Sequence, residues 1–170
     1  MTSDLIPNIL VAGIGNIFLG DDAFGVEVVE RLSLRAVPPN VRVTDFGIRS
    51  YDLAYALMEP WDLVILADAV PRGGEPGTLY TIEPHLPSED SPSPEAAIDA
   101  HSMNPVAVLQ LVHHLGGRPG RMLVVGCEPA TVDADTNGQF GLSDPVRAAI
   151  DEAVTIIEEL IARNCKSTAA

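Results

Sequence analysis

The sequence predicts an α/β fold, a mostly parallel twisted sheet with helices on both faces, arranged as three α/β/α layers. Three observations lead there. Residues 8–13, 62–68 and 122–127 are apolar runs without polar alternation, the composition of strands covered on both faces. The segments between them carry apolar residues at helical spacing, and Gly or Pro marks most junctions. Strands alternating with helices pair in parallel, and right-handed crossovers lay the helices on the faces of the sheet.

The first strand covers residues 8–13 and ends at Gly13. After Asp21 and Asp22, residues Phe24, Val28, Val29 and Leu32 share one helical face, with Glu27, Glu30 and Arg31 opposite, until Pro38-Pro39 stops the helix. A second strand follows at 41–46, a short helix at 51–58 and a third strand at 62–68. Gly73-Gly74 and Pro76-Gly77 turn the chain into a short strand at 78–82, an edge strand because prolines flank it. Residues 84–97 change character: four prolines among Ser88, Glu89, Asp90, Ser91 and Ser93 predict a mobile surface loop. Asn104-Pro105 resembles a cap and first-turn proline opening a helix through Val106, Leu109, Val112 and His113, which Gly116-Gly117 closes. After the strand at 122–127, a final helix starts near Ser143-Asp144-Pro145. It aligns Val146, Ala149, Ile150, Ala153, Ile157, Leu160 and Ile161, and residues 166–170 form a frayed tail.

A chain of 170 residues suits one domain. At this size folding buries about 70% of the unfolded surface, so no disulfide or structural metal is required. Cys127 and Cys165 stand without a second pair and read as free thiols. Ten basic against 24 acidic residues give a net charge of −14, which repels nucleic-acid phosphates and anionic lipid. With 46% hydrophobic and 20% charged residues the chain is too apolar for a disordered acidic tail. No apolar run approaches the ~20 residues of a membrane span and the first residues lack a basic signal start, so a cytoplasmic address is expected, and a monomer is expected because one chain's core accounts for the long amphipathic helices.

In sheets of this kind ligands bind beyond the carboxyl ends of the strands. The loop there reads Gly13-Ile14-Gly15-Asn16-Ile17-Phe18-Leu19-Gly20-Asp21-Asp22. It begins like a dinucleotide fingerprint, but Phe18 stands where the third glycine belongs and two carboxylates occupy the helix entry, so neither nucleotide nor flavin phosphate fits. Gly13, Gly15 and Asn16 shape the loop, through positive φ or close helix approach. Of the two acids, one is expected to cap the helix and the other, with Asp22 favoured, to face the cleft. Asp68, closing the third strand, is either a hydrogen-bonded loop anchor or a site carboxylate, and Asp45 has the same standing. His101 precedes a helix N-terminus, where the positive potential favours neutral imidazole, the metal-ligating form; a plain surface histidine is the alternative. Asp22, Asp68 and His101 would then converge as an open metal triad. At an effective dielectric near 20, two carboxylates about 4 Å apart repel by roughly 4 kcal/mol, which a divalent cation relieves.

Taken together, these residues resemble the hydrogenase maturation endopeptidases, which trim the C-terminal extension from nickel-iron hydrogenase large subunits. The landmarks are the Gly13–Asn16 and Gly20–Asp22 stretches, Asp45-Phe46-Gly47, Ala67-Asp68-Ala69 followed by Pro76-Gly77-Thr78, His101, Gly126-Cys127-Glu128-Pro129 and Gly141-Leu142-Ser143. The resemblance implies that Asp22, Asp68 and His101 contact nickel carried by the precursor. Many members have Glu where Asp22 stands here. It also implies that the loop of Asp45, Phe46 and Gly47, with Arg49, shapes the choice of substrate.

The expected function is therefore endopeptidase cleavage of a nickel-loaded hydrogenase large-subunit precursor, with Asp22, Asp68 and His101 carrying recognition or hydrolysis. The absence of a Gly-x-Ser-x-Gly elbow, a His-Glu-x-x-His motif or a reactive-cysteine signature agrees with chemistry that uses no nucleophile of the enzyme's own. An open-site cation can polarise a carbonyl and activate water. The alternative is a non-catalytic assembly factor that binds the metallated precursor without shortening it.

Overall fold

The computed structural model describes residues 6–84, 105–130 and 141–166. The elements follow in the order β1 (Ile9–Ile14), a 3-10 turn (Gly20–Ala23), α1 (Phe24–Ser33), β2 (Val41–Gly47), α2 (Ser50–Ala56), β3 (Leu63–Ala69), β4 (Leu79–Ile82), α3 (Pro105–His114), β5 (Arg121–Cys127) and α4 (Asp144–Lys166). The five strands lie in the order β2-β1-β3-β5-β4. All pairs are parallel except β4 with β5, where Leu79 opposes Cys127 and Ile82 opposes Val124.

Why the strands read as unbroken apolar runs is now plain: every residue of β1 is buried, because both faces are covered. Ile9, Val11, Ile65 and Val125 point to a core closed by Phe24, Val28 and Leu32 of α1 and Val146, Ile150 and Ile157 of α4. Leu10, Ala12, Val64, Leu66 and Val124 point the other way, to Leu53 of α2 and Val108, Leu109 and Val112 of α3. Phe24 is fully buried between sheet and helix; truncating it to Ala costs about 3–5 kcal/mol in transfer and cavity terms.

The predicted edge strand is β4, held from one side only. Its direction is antiparallel because the Gly73–Gly77 turn reverses the chain before it. The terminal helix reaches Lys166, one residue into the stretch expected to fray. The remaining tail, the rest of the proline-rich 84–97 segment and the Asn104 cap lie outside the described residues. Cys127 and Cys165 are both free thiols. Among the described residues no helix is long and apolar enough to cross a membrane.

The connection leaving β1 runs to β2 on one side, while β3 lies on the other. The loops after β1 and β3 therefore part in opposite directions and open a crevice at the carboxyl edge, the place such sheets use for ligands.

Candidate functional site

The crevice is shaped first by glycines. A Cβ on Gly13 would lie 2.4 Å from the Gly25 carbonyl and from Val29, so α1 can seat against β1 only because Gly13 has none. Gly15 adopts φ +138°, and a Cβ there would fall 1.8 Å from the Asp22 carbonyl oxygen. The absent side chain lets the 3-10 turn fold back over the end of its own strand, as loop-shaping Gly13 and Gly15 were expected to do. Asn16 completes the turn. Its backbone N–H donates to Asp22 Oδ2 at 2.7 Å, its side-chain Oδ1 accepts the Phe18 N–H at 2.9 Å, and its carbonyl accepts the Leu19 N–H at 3.1 Å.

Asp22 is thereby held at the mouth of the crevice, partly exposed. On the neighbouring strand, Asp68, next to last in β3, lies in register with Gly126 and is only 6% exposed. Burial raises the Asp68 carboxyl well above its ordinary range, the Asp22 charge raises it further, and the Ala69 N–H opposes both. Two predicted site acids from separate segments thus share one electrostatic environment. A pair of this kind favours a proton or a cation between its members. Carboxylate oxygens are hard donors of the kind that hold a divalent cation. Among the described residues no group of three potential ligands is assembled, and His101, the predicted third, lies outside them.

The other aspartate does something sequence reasoning missed. Neither Asp21 nor Asp22 caps a helix: the 3-10 turn and α1 have no side-chain cap bond, which corrects the capping expectation. Asp21 is 1% exposed and turned inward. Its Oδ1 accepts the Ser143 N–H at 2.7 Å, and its Oδ2 accepts the Ala130 N–H at 2.8 Å and the Ser143 hydroxyl at 2.9 Å. One carboxylate therefore fastens the segment after β5 and the start of α4 to the turn that carries Asp22. Adjacency to Asp22 concealed this, because three donors more than 100 positions away leave no local pattern. Glu128 was likewise visible only as a landmark. It accepts the Arg72 N–H at 2.8 Å, the Gly73 N–H at 3.1 Å and the Tyr80 hydroxyl at 2.9 Å.

The loop after β2 divides the expected substrate-choosing residues. Gly47 takes φ +53°, and its N–H donates to Asp45 Oδ1 at 2.7 Å. Asp45 is exposed. Phe46 is 6% exposed and packs into the core on the α2 side, so it supports the loop from beneath and offers no surface to a partner. Arg49 is exposed but bound to its own loop, donating to the carbonyls of Asp45 and Phe46 and pairing with Asp52. The apolar side chain this loop does present is Ile48, 62% exposed.

Cys127, fully buried, is no nucleophile. Burial, then the charges of Asp21 and Glu128, push its thiol up to about 11, against a lowering contribution from the Gly77 backbone.

The sequence matches the family model for HycI, hydrogenase maturation protease, over residues 26–160. It is 34% identical over 152 residues to a putative hydrogenase maturation protease of Methanocaldococcus jannaschii, covering 88% of this chain and 94% of that one. It is 35% identical over 153 residues to the hydrogenase expression/formation protein HupM of Azotobacter chroococcum, covering 88% and 69%. Among solved structures, the hydrogenase maturating endopeptidase HybD of E. coli superposes with a TM-score of 0.71 at 28% identity, over 92% of this chain and 93% of that one.

Proposed function

We propose, from the premise that this chain belongs to the hydrogenase maturation protease family, that it cleaves the C-terminal extension from a nickel-loaded hydrogenase large-subunit precursor. The observation that supports this reading is that the turn after β1 and the end of its neighbour β3 bring Asp22 and the buried Asp68 to the same carboxyl edge at the sheet's switch point. The nickel is part of the substrate. Asp22, Asp68 and His101 would contact it, and the ion would serve as the mark by which a ready precursor is recognised or would polarise the scissile carbonyl. This chain's residues hold the precursor by that ion and orient water at the carbonyl; no thiol or hydroxyl of the enzyme attacks. The inert Cys127 supports this division of labour.

The test is incubation with metallated and unmetallated precursor, followed by mass spectrometry of the large subunit. Wild type shortens only the metallated form. Asp22→Asn, Asp68→Asn and His101→Ala each fail to shorten it. Cleavage by His101→Ala at the wild-type rate overturns the role of His101, and binding without any loss of mass overturns hydrolysis in favour of an assembly factor.

A further inference from the structure

The described surface gathers its large apolar side chains in one place. Of ten exposed large hydrophobic residues, five, Ile17, Phe18, Leu19, Ile48 and Tyr51, lie in the loops and first helical turn that follow β1 and β2. Scattered apolar residues need no explanation, but half of the total in two adjoining loops does. The loops touch: the Gly15 N–H donates to the Gly47 carbonyl at 2.9 Å.

The exposure is built in rather than a consequence of a slack loop. Phe18, 66% exposed, and Leu19 are fixed by bonds from their own N–H groups to Asn16, and the Leu19 carbonyl accepts the Asp22 N–H at 3.1 Å. The Asn16 N–H in turn holds the Asp22 carboxylate. One set of hydrogen bonds therefore places the apolar side chains outward and sets the site acid.

We propose that Ile17, Phe18, Leu19, Ile48 and Tyr51 form a docking collar for an extended apolar stretch of the protein substrate, flanking the bond that is cut. This rests on reading the Asp22–Asp68 edge as the hydrolytic site. Substrate is the occupant because the collar is continuous with that edge through the Asn16 turn. Charge argues the same way. The chain carries −14, so a second copy would bring like charge to a rim already holding Asp22 and Asp45, whereas a cation-bearing precursor brings the opposite sign.

The experiment compares wild type with Phe18→Ser and Ile48→Ser. KM and kcat are measured separately on the metallated precursor, and anisotropy follows binding of a synthetic metal-free peptide spanning the cleavage junction. Leu34→Ser, a residue 85% exposed beyond the far end of α1, is the control. The collar variants raise KM and the peptide Kd by about ten- to hundredfold with kcat held, as expected for losing burial of a large apolar side chain. Phe18→Leu restores affinity, and Leu34→Ser changes nothing. Affinities within about twofold of wild type, while Asp68→Asn still abolishes cleavage, overturn the collar and leave the hydrolytic reading standing. Peptide binding that Phe18→Ser weakens, with no cleavage by wild type, overturns hydrolysis and with it the collar's place beside a cut bond, leaving a peptide-docking surface. A wild-type dimer in sedimentation that Phe18→Ser dissociates makes the patch a contact between copies, and the proposal falls.

Discussion

Asp68 and Glu128 sit at the ends of neighbouring strands and are almost equally hidden, at 6% and 5% exposure, yet their carboxyl groups have moved in opposite directions. Burial raises Asp68, and the Asp22 charge adds to it, against one opposing backbone N–H. Burial pushes Glu128 upward as well, but the N–H of Arg72, the Tyr80 hydroxyl and the N–H groups of Gly73 and Gly74 outweigh it and hold Glu128 below its ordinary value. Removal from water does not decide what a carboxylate is for; the supply of donors does. Glu128 has been given its partners by the fold and fastens the 72–74 turn to Tyr80. Asp68 has been set beside a second acid, an arrangement that favours a proton or a cation there.

The largest effect expected from breaking this contrast is on cleavage. Asp68→Asn or Asp22→Asn removes a formal charge from the pair while keeping the side chain's size. Either change should lower cleavage of metallated precursor by more than about a hundredfold, the upper end of what even outer-shell supports of a metal ligand contribute. Glu128→Gln should spare far more activity. Equal losses from all three, measured as initial rates, would erase the distinction between site acid and scaffold acid.

Next in size is the scaffold itself. Asp21→Ala strands the Ala130 N–H, the Ser143 N–H and the Ser143 hydroxyl, of which the wild type satisfies all three. These donors are part-buried at most, so at about 0.5–1.5 kcal/mol for each hydrogen bond lost a destabilisation of roughly 1.5–4 kcal/mol is expected, seen as a lower urea midpoint with unchanged slope. A variant as stable as wild type would mean that Asp21 does not fasten the α4 entry.

Much of this was legible before any coordinates. Residues 62–68 announce a doubly covered strand because Leu63, Ile65 and Ala67 face α1 and α4 while Val64 and Leu66 face α2 and α3. That Asp22 and Asp68 lie at one edge was legible because strand order brings residues after strands there, however far apart they stand in sequence. The inward turn of Asp21 was not legible, since it depends on donors at Ala130 and Ser143 that only tertiary packing delivers. Phe46 ends the strand expected at 41–46, and the pleat there directs it toward Leu53 and the rest of that core, a contact that no sequence pattern announces. The outward-facing residue is Ile48, two places on, an apolar side chain with no periodic context to single it out.

The finest distinction between the two acids is in their proton linkage, and the signs are opposite. For Asp68 the folded chain keeps its proton above the ordinary value of 3.8, where the unfolded chain has released it. Stability therefore falls as pH rises from there through the higher folded value, and it stays reduced beyond. For Glu128 the folded value lies below the ordinary 4.5, so its contribution is present above 4.5 and is lost as pH falls through the folded value. Urea unfolding with chelator present, at a series of pH values, should show Asp68→Asn gaining stability relative to wild type as pH rises. Glu128→Gln should lose stability at neutral pH and converge on wild type in acid. A divalent cation should offset the wild-type deficit at Asp68 by binding the folded pair, and it should do nothing for Asp68→Asn. If the two variants instead track each other across the series, burial alone governs both carboxylates, and the donor argument separating site from scaffold fails.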